Sequence, residues 1–205
     1  MRSHPAAPVL LALALLVGTA GCRDDSADRT AVATAAATAT ATARATVEPS
    51  VLPFPTSARP VDGGHGSGNG LGVTGVRTSH RPGYDRVVFD LDGTGSPGWY
   101  VSYTANPVAE GSGDRVVLEG TTYLSVVLRG VGLPFDTGVP AYGDDTTRIA
   151  GTGTKGVAEI APGGVFEGDQ LAYIGLTGAQ RPFRVFALTD PARVVVDVRS
   201  PPGGS

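Results

Sequence analysis

Cysteine, lysine and histidine, the residues that most often carry metal or nucleophilic chemistry, are nearly absent, with one Cys and three His in the 205-residue chain and Lys155 as its one lysine. With Cys22 alone, no internal disulfide can form. Between Leu71 and Ser200 the one histidine is His80. No cluster there has zinc-ligand spacing, and no Gly-x-Ser-x-Gly elbow occurs. Long stretches free of glycine and proline are missing too: the longest in that region are Tyr84–Asp92, Thr121–Arg129 and Ala192–Ser200, nine residues each. A parallel sheet needs crossover helices of about ten residues or more, so the composition predicts an all-β domain. Basic charge is also scarce. From Leu71 to Ser200, ten Arg and Lys155 face fourteen Asp and Glu, a balance of 11 − 14 = −3 with no basic cluster, which excludes nucleic acid as a partner.

The N-terminus sets the compartment. Arg2 precedes an apolar stretch from Ala6 to Val17, then Gly18, Thr19, Ala20, Gly21 and Cys22, the pattern of a secretory signal too short to span a bilayer. The site around Cys22 resembles a bacterial lipobox, although Thr19 stands where Leu is more usual. The resemblance implies cleavage after residue 21 and a lipid on the Cys22 thiol, anchoring the protein to the outer face of the cytoplasmic membrane. Without lipidation, the same leader yields a secreted protein. Residues 22–69 follow as a tether: Thr30 to Thr46 hold nine Ala and six Thr in seventeen residues, too few large side chains to offset the entropy of ordering. Some 47 flexible residues reach roughly 40 Å.

Residues 70–200 are one domain's length, and 201–205 form a short tail. Alternation and β-branching predict strands at Val73–Thr78, Arg86–Leu91, Trp99–Tyr103, Arg115–Leu118, Tyr123–Leu128, Val157–Ile160, Leu171–Leu176, Phe183–Leu188 and Arg193–Val198. Many short strands indicate a sandwich or a barrel. Three of them share one pattern, in YDRVVFD, GDRVVLE and PARVVVD. On a strand, the first valine and the apolar residue face inward, while arginine and carboxylate face outward. Val87, Phe89, Leu91, Val116, Leu118, Val194, Val196 and Val198 are therefore the expected core. The outer face, with Arg86, Arg193 and Asp197, either forms cross-strand ion pairs or grips a ligand's carboxylates or sugar hydroxyls, for which guanidinium geometry is suited.

VVFDLDGTG, Val87 to Gly95, also resembles the nucleophile segment of haloacid-dehalogenase-type phosphatases, with Asp90 and Asp92 as the reacting pair. Those enzymes need a helix after the motif, whereas here a turn and another strand are expected. Asp90, Asp92, Thr94 and Gly95 match the start of a calcium loop too, but Val101 stands where a bidentate Glu is required, so at most a weak calcium site would remain. In PGWYVSY, Trp99, Val101 and Tyr103 share a face and Tyr100 takes the other, which makes Trp99 or Tyr100 a candidate stacking surface for a sugar ring, with core packing the favoured place for Trp99. Asp144 and Asp145 beside Tyr142 read as a solvated loop.

Taken in order, SHRPGYDRVVFDL, PGWYVSY, FEGDQLAYIGL and RPFRVFALTDPARVVVDV resemble the AMIN-like domain of secreted and lipid-anchored proteins of GC-rich Gram-positive bacteria. The resemblance spans residues 71–200 and implies a β-sandwich of two small sheets that binds peptidoglycan or an envelope partner without catalysis. No accompanying amidase domain is expected here. The expectation is a non-enzymatic cell-envelope lipoprotein without cofactor or metal. It would bind cell-wall glycan through Arg86, Arg193 and Asp197, with Trp99 or Tyr100 stacking; the alternatives are a protein-binding module or the phosphatase.

Overall fold

The computed structural model describes residues 53–203; the leader, Cys22 and the Ala/Thr-rich stretch lie outside them. Paired structure begins at β1 (Val61–Asp62) and β2 (Gly66–Arg81), followed by β3 (Tyr84–Thr104) and β4 (Thr122–Arg129). After one helical turn, α1 (Pro134–Thr137), come β5 (Ile149–Ala150), β6 (Val157–Phe166), β7 (Asp169–Leu176), β8 (Phe183–Leu188) and β9 (Arg193–Arg199). The expected tether boundary at 69 is therefore corrected: Val61 and Asp62 pair with Val101 and Tyr100, and Gly66 with Pro97. Glycine-rich composition hid these strands, because short or absent side chains carry no alternation.

The fold is all-β, a single antiparallel sheet of nine strands curled over on itself. The curl is a property of β3. Its first half pairs with β2 and β9, and its second half with β1 and β4, from which the sheet continues to β7, β6 and β5. The expected turn after Asp92 does not exist, and the strands expected at 86–91 and 99–103 are one. Gly93 and Gly95 take φ of 106° and 116°, and β2 shifts register between Ser67 and Gly70 and between Val73 and Gly75. Bulges and positive-φ glycines bend a strand without ending it.

The two halves enclose one core in the manner of a sandwich. Phe89, Val194, Val196 and Phe183 from one half meet Leu124, Val126, Ile160 and Ile174 from the other. The Tyr103 and Phe183 rings meet edge-on with centroids 5.7 Å apart. The inward residues expected from the three Arg-Val-Val segments are all buried, but Arg115–Leu118 is not a strand of the sheet. It forms one bridge, Val108 to Arg115, within a loop laid over β6 and β7, where Val116 and Leu118 join Ala109, Ala161 and Tyr173 in a second apolar cluster. Val116 N donates to Pro107 O at 3.0 Å, and Arg148 Nε to Val117 O at 2.8 Å. These two bonds give backbone groups of the segment partners outside any sheet ladder.

Candidate functional site

Register decides which sequence-predicted residues meet. Arg86 and Asp197 are cross-strand partners on β3 and β9, and Arg184 on β8 is Asp197's other neighbour. Asp197, fully buried, accepts from Arg86 Nε at 2.7 Å and from Arg184 Nη2 at 2.9 Å, with each guanidinium making a further bond to it. The guanidiniums also lie over rings: Arg86 5.6 Å from the centre of Tyr84 and 5.5 Å from Phe186, and Arg184 4.3 Å from Phe54 and 5.0 Å from Tyr84. Phe54 comes from the segment ahead of β1, which covers this face. Of the two readings of this face, the cross-strand ion pair is the one formed, but it is buried rather than solvated, so Arg86 and Asp197 do not present an open ligand-gripping face. Exposed ion pairs are worth little, but a buried carboxylate between two arginines locks register through directional, low-dielectric contacts.

Arg193 lies elsewhere, at the start of β9. Its Nε donates to Pro191 O at 3.0 Å and its Nη2 to Thr189 O at 3.5 Å, so the side chain braces the four-residue loop 189–192 between β8 and β9. Asp190 sits in that loop with φ 57° and a cis peptide to Pro191, a left-handed conformation that Asp and Asn tolerate better than most residues. Leu91 N donates to Ala192 O at 3.0 Å, which ties the loop to β3 just before Asp92.

Trp99 meets this loop. A groove of about 510 Å³ is lined by Asp92, Ser96 and Trp99 of β3 and by Thr189, Asp190 and Pro191 of the loop. Asp92 and Asp190 are exposed. Trp99 is half-buried against the core, and its ring is covered on one side by Gly63, where an added Cβ would fall 2.0 Å from the indole. Its Nε1 is buried and has no hydrogen-bond partner among the described residues. Tyr100 points to the other face and lies under Arg129, 5.8 Å from ring centre to guanidinium carbon, so it does not join Trp99. The groove therefore combines an indole, two carboxylates and two hydroxyls at a bend of the sheet. Sequence reasoning flagged Trp99, Arg193 and Asp92, the last for other chemistry. It missed Ser96 as a site residue and had Thr189 and Asp190 only within a family-like block.

The phosphatase arrangement is not present. Asp90 lies mid-strand and is clamped by Arg77, whose Nε and Nη2 each donate to it at 2.6 Å. Asp92 Oδ1 accepts from the Gly93 amide at 2.7 Å, and strand rather than helix follows. Among the described residues no group of three or more His, Cys, Asp or Glu side chains could hold a metal ion.

The scaffold is a curled sheet with one helical turn, and it carries a polar, tryptophan-bearing groove. The family model of the AMIN-like domain matches residues 71–200, and the chain belongs to that family. Its members are non-catalytic envelope-targeting modules, which makes this chain a cell-envelope-associated binding module acting outside the cytoplasm. No curated relative and no solved structure matches it.

Proposed function

We propose that the domain binds cell-wall peptidoglycan through its glycan, in the groove between Trp99 and the 189–192 loop, without turning it over. The observation that carries this reading is the pairing of the indole with the carboxylates of Asp92 and Asp190 in one open groove. Sugars present an apolar C–H face beside a row of hydroxyl donors. The exposed part of an indole suits the first, and ionised carboxylates accept from the second in charge-assisted bonds about twice as strong as neutral ones. The groove's volume of about 510 Å³ falls within the roughly 300–1,000 Å³ of ordinary ligand sites. Arg193 is a positioning residue here, since it holds the loop by its carbonyls. Arg86 and Asp197 hold the sheet, and Tyr100 lies outside the groove. A lipid on Cys22 would anchor the chain at the membrane, with the stretch after it as the tether.

The test is co-sedimentation of the full chain with purified sacculi. Asp92→Asn and Asp190→Asn keep size and, at 190, tolerance of the left-handed backbone. The double variant is expected to pellet at least tenfold less tightly while its unfolding midpoint stays unchanged. Wild-type levels of binding by that variant would move the glycan elsewhere, and no binding by the wild type would point to a protein partner instead.

A further inference from the structure

A second cavity, of about 180 Å³, lies between the loop that follows β3 and the β6–β7 hairpin. We propose that it is a separate binding site for a protonated primary amine on an unbranched aliphatic stem, the chemistry of a lysine side chain. Its volume is below the roughly 300 Å³ at which small-molecule sites begin, so it takes a side-chain-sized group and not a sugar. The floor is apolar: Ala109, Val116, Ala161 and Tyr173 are 3–8% exposed. Phe166, 43% exposed, forms a wall. Methylene groups entering this space leave water for an apolar surface.

The lining is acidic and its charge is not neutralised from within. Glu110, Asp144 and Asp145 line the cavity with one cation, Arg148. Arg148 donates instead to three backbone carbonyls, Val117 at 2.8 Å, Asp145 at 3.0 Å and Thr147 at 2.7 Å. None of the ion pairs among the described residues includes any of these four side chains. Asp144 Oδ1 accepts four bonds from Thr146 and Thr147, which hold its pKa down to about 2 and keep it charged. Desolvation, then Asp169 and Glu167, raise Glu110, as expected of a carboxylate lacking a cation. Among the described residues these carboxylates form no group that could hold a metal ion. An ammonium group with a carbon stem satisfies both the charge and the floor.

This inference goes beyond the groove reading and fails separately from it. Amide NMR spectra of the full chain would be titrated with Nα-acetyl-lysine methylamide and with its Nε-acetylated counterpart. The expected result is saturable shifts at Glu110, Ala161 and Phe166, none with the acetylated compound, and affinity weaker by roughly tenfold or more in Glu110→Gln/Asp145→Asn. Both positions are exposed, so the variant should fold. No shifts, equal shifts with the acetylated compound, an unaffected double variant, or the same shifts with calcium chloride would overturn the proposal.

Discussion

Asp197 has no solvent contact and two guanidiniums on its oxygens, so its replacement has a large expected effect. Asp197→Ala leaves buried positive charge uncompensated, and breaking such a pair costs about 3–5 kcal/mol; urea unfolding should show that loss. Arg193→Ala should cost far less, because its partners are carbonyls of an exposed loop. Tyr103 offers a pH test. Burial raises its pKa above the ordinary 10.0, while the bond its hydroxyl donates to Arg181 O, at 2.8 Å, ties the two halves together. A group whose folded pKa is raised stabilises fully below its unfolded value and less as pH climbs through the folded one. Stability should therefore hold to about pH 10 and decline above it, and the decline should be smaller in Tyr103→Phe. Asp144 acts at the other end of the scale. Lowered from 3.8 to about 2 by its bonds to Thr146 and Thr147, it should hold the 144–147 turn above about pH 4 and release it as pH falls towards 2, visible in the amide shifts of Thr146 and Thr147. At this scale the sequence revealed alternation, which placed Val87 of β3 and Val194, Val196 and Val198 of β9 inward but not Val101. It could not reveal that Arg86 and Asp197 would meet, because that depends on register between residues 111 positions apart.

β3 is the element on which the architecture turns. Read as sequence, Asp92-Gly-Thr-Gly-Ser-Pro-Gly is a turn, since glycine and proline mark chain reversals. In the folded chain the same glycines bend a continuous strand, because β1, β2, β4 and β9 between them supply partners along its length. A Cβ at Gly93 would lie 2.1 Å from Gly70 O, so Gly93→Ala should destabilise by about 1–3 kcal/mol through clash and positive φ together. The entry segment was illegible for the related reason that β1 and the start of β2 have little apolar pattern. Its role is still specific: Gly63 covers Trp99, with its N donating to Trp99 O at 2.9 Å, and Asp62 bridges Arg129 at 3.1 Å. A chain truncated to begin at Gly70 should unfold at lower denaturant and show red-shifted tryptophan emission, whereas one beginning at Pro53 should match the full chain. The groove was half legible for the same reason, as Trp99 and Arg193 stand out by residue type while Thr189 and Asp190 join them only through the β8–β9 loop.

At the scale of the whole molecule, a leader and anchor proposed at Cys22 precede a curled sheet that presents the Trp99 groove. Cys22→Ser should shift the protein from the membrane fraction to the medium, and unchanged membrane retention would remove the anchor from the account. Binding itself can be read at the site, because Trp99 is the one tryptophan in the chain and lines the groove. The most direct measurement is a fluorescence titration of the full chain with soluble wall glycan fragments. A saturable change in Trp99 emission, lost in Asp92→Asn/Asp190→Asn, is the expected result. Binding that pellets the protein with sacculi yet leaves Trp99 emission unchanged would contradict the placement of glycan in this groove.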